Sequence, residues 1–229
     1  MMKRLRFIFL LASLTTLSAK AQILDAVGIA GGITYGEHDW NPSYFNTQEA
    51  FLLGFNVAGL VEFFHNPHFR WRVELEYNQM GSQEHVYQFY TNRTNYLTLN
   101  NYLKIQYRLV WIMPYMLIGP RVEYLLVNSA QIYGNMIGAF PKVSVTGAVG
   151  IGFEFINDGL FRPFIEAFYN HDILPSYRGT YQTTGPPLPD FSKGTIYYFG
   201  YELRVGVRYV FDTKAKKAKC PTVINPAGS

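Results

Sequence analysis

From Tyr197 to Phe211 every second residue is apolar: Tyr197, Phe199, Tyr201, Leu203, Val205, Val207, Tyr209 and Phe211. The positions between them carry Tyr198, Gly200, Glu202, Arg204, Gly206 and Arg208. No other feature of the chain constrains its fold as tightly. A side-chain period of two belongs to an extended strand, whose successive residues point to opposite faces. The run is longer than the five or six residues usual in soluble sheets, and it meets the nine to eleven that a tilted strand needs to cross a bilayer.

The alternation recurs along the chain. Phe69, Trp71, Val73, Leu75 and Tyr77 oppose Arg70, Arg72, Glu74, Glu76 and Asn78. Leu97, Leu99, Leu103, Ile105 and Tyr107 oppose Thr98, Asn100, Tyr102, Lys104 and Gln106. Val143, Val145, Val149, Ile151, Phe153 and Phe155 oppose Lys142, Ser144, Thr146, Gly150, Gly152 and Glu154. Weaker versions run through Ala26–Tyr35, Phe51–Phe64, Pro114–Leu126 and Phe161–Asn170. Eight strands follow. Short links at His65–His68, Arg108–Met113 and Ile156–Leu160 alternate with longer polar ones at Gly36–Glu49, Gly81–Thr94, Val127–Pro141 and His171–Ser192. Short periplasmic turns alternating with long outer loops mark an outer-membrane barrel. The predicted fold is therefore all-β: an eight-stranded antiparallel, up-and-down transmembrane barrel of the outer-membrane type.

A soluble barrel alternates too, but it hides its apolar face inside. Two features favour the inverse arrangement. Glycines gather on the polar face (Gly28, Gly32, Gly150, Gly152, Gly200, Gly206), as a crowded lumen requires, and aromatics such as Phe69, Trp71, Tyr209 and Phe211 sit toward strand ends, as interface girdles do. The inward set then comprises Glu62, Arg70, Arg72, Glu74, Glu76, Lys104, Arg108, Arg121, Glu123, Lys142, Glu154, Arg162, Glu166, Glu202, Arg204 and Arg208. An eight-stranded barrel is just wide enough to be filled by side chains. Charges of both signs there must pair, which predicts a salt-bridged, charge-balanced plug and not an open pore.

Residues 1–21 read as a signal peptide, with Lys3, Arg4 and Arg6, the apolar stretch Phe7–Leu17, and the small-x-small junction Ala19-Lys20-Ala21 before Gln22. The barrel is assigned to 22–211 and a basic polar periplasmic tail to 212–229. The leader holds four of the 20 basic residues and none of the 16 acidic ones, so 20 less 4 leaves the mature chain neutral. Nucleic-acid binding, which needs a basic patch on the folded protein, loses its support. Lys214, Lys216, Lys217, Lys219 and the lone cysteine, Cys220, are candidates for contact with anionic lipid or a partner.

Catalytic signals are thin. Glu74 and Glu76 share a face at a separation of about 7 Å, a spacing open to paired acid–base chemistry, but Arg70 and Arg72 beside them favour a structural ion network. His171 with Asp172, and Ser82 with His85, fall where a rim site for lipid A hydrolysis would lie. Gly147, Gly150 and Gly152 lie within a strand with no helix after them, so no phosphate cradle forms. The histidines show no metal-ligand spacing, and no cofactor is expected. Gly185-Pro186-Pro187-Leu188-Pro189 stiffens the last long loop.

Asn95-Tyr96-Leu97-Thr98-Leu99-Asn100-Asn101-Tyr102-Leu103-Lys104 and Pro114-Tyr115-Met116-Leu117-Ile118-Gly119-Pro120 resemble two consecutive strands of the PorT-family outer-membrane β-barrels of Bacteroidetes. Glu166-Ala167-Phe168-Tyr169-Asn170 and Gly206-Val207-Arg208-Tyr209 are similar to that family's last two strands. Thr98 and Asn100 stand where the family usually has Glu and Pro, and the Cys-bearing tail departs from it. The resemblance implies a non-enzymatic structural or accessory barrel of an envelope complex, with type IX secretion as the specific version. Its partners would be outer-membrane lipids and other envelope or secretion proteins. A rim enzyme acting on lipid A and a surface adhesin working through long loops are the alternatives.

Overall fold

The computed structural model describes residues 24–41, 48–85, 89–130, 141–156, 159–174, 177–179 and 194–211. The strands are β1 (Leu24–Asn41), β2 (Gln48–Phe63), β3 (Phe69–His85), β4 (Phe89–Gln106), β5 (Ile112–Ala130), β6 (Val143–Phe155), β7 (Phe161–Asp172), β8 (Tyr177–Gly179) and β9 (Gly194–Val210). Each pairs antiparallel with its neighbour, and β1 pairs with β9 from Ala26↔Val210 to Asn41↔Thr195, which closes the cylinder. Eight strands form the barrel wall. The three-residue β8 only adds to the edge of β9 at Tyr177↔Ile196 through Gly179↔Gly194.

All eight expected strands are present, and several extend beyond the apolar alternation. The expected loop Gly81–Thr94 is mostly ladder, since β3 and β4 stay paired from Gly81↔Arg93 to His85↔Phe89. Likewise β1 runs past Gly36 to Asn41. Backbone hydrogen bonds persist where side-chain alternation has ended, because a polar two-stranded ribbon needs no buried face.

The outward face is apolar. Ile29, Leu75 and Val205 are 66%, 57% and 61% exposed, whereas Glu62, Glu74 and Arg204 are fully buried. This inversion suits a lipid solvent, in which only a closed barrel satisfies every strand's backbone. Aromatic residues form two belts. At the end bearing the tight turns, Phe63 lies 5.2 Å from Trp71, and Tyr209 lies 5.3 Å from both Phe161 and Phe211. At the opposite, loop-bearing end, Tyr35 stacks on Phe51 at 4.4 Å and Tyr169 lies 5.4 Å from Tyr201. Tyr201 and Tyr209 are eight residues apart on β9, about 26 Å along the strand and roughly 20 Å along the barrel axis after tilting. That span approaches the apolar band of transmembrane barrels.

Local chemistry sets the turns. Asn66 Oδ1 accepts from the backbone N–H groups of His68 (2.9 Å) and Phe69 (3.2 Å), while Phe64 adopts a left-handed backbone with φ of 65°. The β4–β5 hairpin narrows through Tyr107 N donating to Pro114 O and Leu109 N to Ile112 O, each at 3.0 Å, leaving Val110 and Trp111 at its tip.

Closure of β1 on β9 depends on small residues. A Cβ at Gly32 would stand 2.0 Å from the Leu203 carbonyl oxygen, and one at Gly28 would stand 2.7 Å from that of Val207. Backbone fills that space. Aromatic rings occupy the space beside other inward glycines: Phe168 lies across Gly150, Tyr115 across Gly152, Tyr198 across Gly36 and Gly200, and Phe164, together with the Ile29 carbonyl of β1, across Gly206.

Candidate functional site in the barrel lumen

Strand parity decides which side chains meet inside. Residues 70–78 of β3 and 202–208 of β9 place their even positions inward, while β5 places its odd ones there. The register then stacks charges in rows: Glu62↔Arg72 between β2 and β3, Arg70↔Lys104 between β3 and β4, and Glu166↔Arg204 between β7 and β9. Like charges directly across from one another, such as Arg70 and Lys104, are tolerable only because carboxylates from other strands intervene.

Three layers of ion pairs result. Nearest the turns, Glu62 binds Arg72 at 2.8 Å, Lys104 at 2.9 Å, Arg70 at 3.2 Å and also Arg208. Asp25 holds Arg70 at 2.5 Å and His65 Nδ1 at 2.6 Å, and Glu154 holds Arg208 at 2.5 Å and Lys104 at 3.5 Å. In the middle layer Arg204 reaches Glu74 and Glu166, each at 3.0 Å, and Arg72 also contacts Glu166. Tyr115 donates to Glu166 at 2.6 Å. Aromatic faces take part of the positive charge: Lys104 Nζ lies 4.1 Å from the Tyr115 ring and the Arg204 guanidinium 4.1 Å from the Phe168 ring. In the layer nearest the loops, Arg121 serves Glu202 at 2.7 Å, Glu76 at 3.4 Å and Glu123 at 3.6 Å. Asn78 and Asn170 donate to Glu202 at 2.9 and 2.8 Å.

Of the expected inward residues, the structure buries Glu62, Arg70, Arg72, Glu74, Glu76, Lys104, Arg121, Glu123, Glu154, Glu166, Glu202, Arg204 and Arg208 in one lumen. Arg162 pairs with Glu154 at 3.3 Å from the rim, its side chain still 18% exposed. Arg108 and Lys142 are corrections: both lie just beyond a strand end and are exposed, because parity aims a side chain only while the ladder lasts. Among the described residues, nine carboxylates (Asp25, Glu62, Glu74, Glu76, Glu123, Glu154, Glu166, Asp172 and Glu202) and six cations (Arg70, Arg72, Lys104, Arg121, Arg204 and Arg208) are buried in the lumen, and Arg162 and the His65 imidazole add partners to Glu154 and Asp25 at its rim.

Several lumen residues were missed. Tyr115 and Leu117 share the inward parity of Arg121, and Phe164 and Phe168 share that of Glu166, so parity was the available signal. Asp25 was not legible. A register shift between Leu24 and Ala26 turns it inward against the parity of β1.

The catalytic candidates do not assemble. Glu74 and Glu76 are engaged by Asn100 at 3.2 and 2.6 Å and by the guanidinium groups of the network. His171 and Asp172 point to opposite faces of β7. His171 bonds the Asp172 backbone oxygen at 2.8 Å and lies beside Tyr169 and Tyr197, whereas the buried Asp172 carboxylate accepts from Tyr198 N at 2.9 Å. Adjacent residues of a strand cannot form a side-chain dyad on one face. Ser82 and His85 belong to the β3 backbone, but their side chains lie outside the described residues, as do residues 1–21, the Gly185–Pro189 stretch, Lys214, Lys216, Lys217, Lys219 and Cys220.

The sequence matches no protein-family model and no curated protein. Among solved structures, the outer membrane protein OprG of Pseudomonas aeruginosa superposes with a TM-score of 0.53 at 10% identity, over 84% of this chain and 98% of that one. Neisserial surface protein A aligns at 0.45 and 12% identity (81% and 97% covered), and Ail of Yersinia pestis at 0.35 and 17% (79% and 98%). The likeness to OprG shows a shared fold, the closed antiparallel barrel of outer-membrane proteins.

Proposed function

We propose that this chain is a non-enzymatic outer-membrane barrel, a structural or accessory component of an envelope complex that acts through its ends and not through a pore. The observation that carries this reading is the Glu62 knot, in which four cations from β3, β4 and β9 converge on one carboxylate across the lumen. A passage would have to part several buried pairs together, each costly to break. The tight turns then face the periplasm and the longer connections the exterior, with the signal peptide directing export. The separation of His171 from the Asp172 carboxylate weighs against a rim enzyme. A type IX secretion role rests on the sequence resemblance to the PorT family.

Two measurements test this. Purified protein in planar bilayers is expected to show no stable conductance on the nanosiemens scale, and steady openings of that size would refute a sealed lumen. Affinity purification from detergent-solubilised outer membrane, with mass spectrometry, is expected to recover a defined set of envelope proteins. Normal secretion and gliding after deletion of the gene would remove the type IX version.

A further inference from the structure

Alternation along β4 turns Leu97, Leu99, Leu103 and Ile105 toward lipid, and Asn101 with them. Its neighbours Asn100 and Tyr102 are buried in the lumen, whereas Asn101 is partly exposed on the outside. It pairs with Val73 of β3, midway along an outward apolar run that extends from Phe69↔Ile105 to Tyr77↔Leu97. Each end of that run is four residues away, about 13 Å along the strand. The amide is therefore deep in the apolar band. Among the described residues it is the one polar side chain on the lipid face between the two aromatic belts.

Within one copy this amide has nothing to bond. Nearer the loops, the outward amides of Gln79 and Asn95 serve each other at 3.3 Å. Asn101 is flanked instead by Val73, Leu99, Leu103, Ile118, Pro120 and Val122, which offer no side-chain donor or acceptor. Pro120 adds a backbone shortage. β4 and β5 exchange hydrogen bonds at Leu109/Ile112 and Tyr107/Pro114, and every second pair of an antiparallel ladder does so, which brings the exchange to Asn101/Pro120. With no N–H, Pro120 returns nothing to the Asn101 carbonyl. Hydrocarbon supplies no water to make up either shortage, and a polar side chain at such depth marks a contact with something other than lipid.

We propose that the β3–β4–β5 face is the interface of a homodimer, in which Asn101 of one copy bonds the partner's Asn101 across a two-fold axis along the membrane normal. An amide carries donor and acceptor together, so two amides related by such an axis close two reciprocal N–H···O bonds. Copies inserted in the same sense bring both amides to one depth without adjustment. A protein of different sequence would have to supply a matching group at that depth. The axis also lays Val73 against the partner's Pro120. Val73, Asn101 and Pro120 make a row of short side chains between the longer Leu99 and Leu103, so two walls can approach closely along it.

The test uses the full-length mature protein in phospholipid vesicles, labelled with donor or acceptor dye at its single cysteine, Cys220. Energy transfer between copies should persist on dilution with lipid until a defined dissociation point. Asn101→Leu should move that point roughly tenfold toward monomer and should unfold at a temperature no lower than wild type, since it takes an amide out of lipid. Asn101→Gln, which keeps the amide, should retain the dimer. In a Cys220→Ser background a short bismaleimide should link Val73→Cys between copies. It should not link Val205→Cys on β9, which is four strands from β4 in either direction around the barrel. A monomeric wild type would overturn the proposal. So would a dimer that Asn101→Leu leaves equally tight, or that links as readily through Val205→Cys, since either would place the interface elsewhere.

Discussion

Replacing Glu62 by Gln keeps the side chain's size and removes its charge, so it isolates what the knot contributes. In the native lumen Glu62 faces Arg70, Arg72, Lys104 and Arg208. After the change every cation keeps at least one other carboxylate: Arg70 keeps Asp25 at 2.5 Å, Arg72 keeps Glu74 and Glu166, and Arg208 keeps Glu154 at 2.5 Å. Lys104 is worst placed, with only Glu154 at 3.5 Å. Removing one member of a buried pair generally costs 3–5 kcal/mol. With partial compensation for each cation, the expected loss is about 3 kcal/mol, on the order of a hundredfold in the folding equilibrium. Urea unfolding of protein folded in detergent, followed by emission of the outward-facing Trp71 and Trp111, would measure it. Because the damage is an uncompensated positive charge, adding Lys104→Met should recover about half of the loss, a coupling above ~1 kcal/mol. A single-mutant loss below about 1 kcal/mol, or strictly additive destabilisation in the double mutant, would refute the view that Glu62 is the electrostatic centre of the lumen.

Other changes test the seam, the lipid face and the rim. Gly32→Val should abolish assembly, or cost more than the ~1–3 kcal/mol of ordinary overpacking, because the new Cβ meets the Leu203 carbonyl. Gly59→Ala, with open space around it, should fold as wild type by heat-modifiable gel mobility. Leu75→Arg should destabilise by about 2–4 kcal/mol in lipid, while Val110→Arg at the turn tip should cost about 0–1 kcal/mol; equal penalties would contradict the inferred depth of β3. His171→Ala should leave lipid A composition unchanged by mass spectrometry, and any shift in acylation would revive the rim-enzyme alternative.

What the sequence by itself determined was the architecture. Alternation over Tyr197–Phe211 and Phe69–Asn78 assigned each side chain to one of two faces, because a strand offers only two. Glycine and aromatic placement then chose which face met lipid. Parity also carries most of the lumen set, and Tyr115 of β5 and Phe168 of β7 share the inward parity of Arg121 and Glu166. Tertiary structure decided what depends on distance between strands and on departures from regularity. The shift at Leu24/Ala26 turned Asp25 inward, and strand ends released Arg108 and Lys142 to solvent. Pairing across the lumen joined Arg72 to Glu166, 94 residues away in sequence. The same folding gathered Glu76, Glu123 and Glu202 around the single guanidinium of Arg121, which no count of Lys, Arg, Asp and Glu reveals, since composition sums charge over the chain and folding distributes it in space.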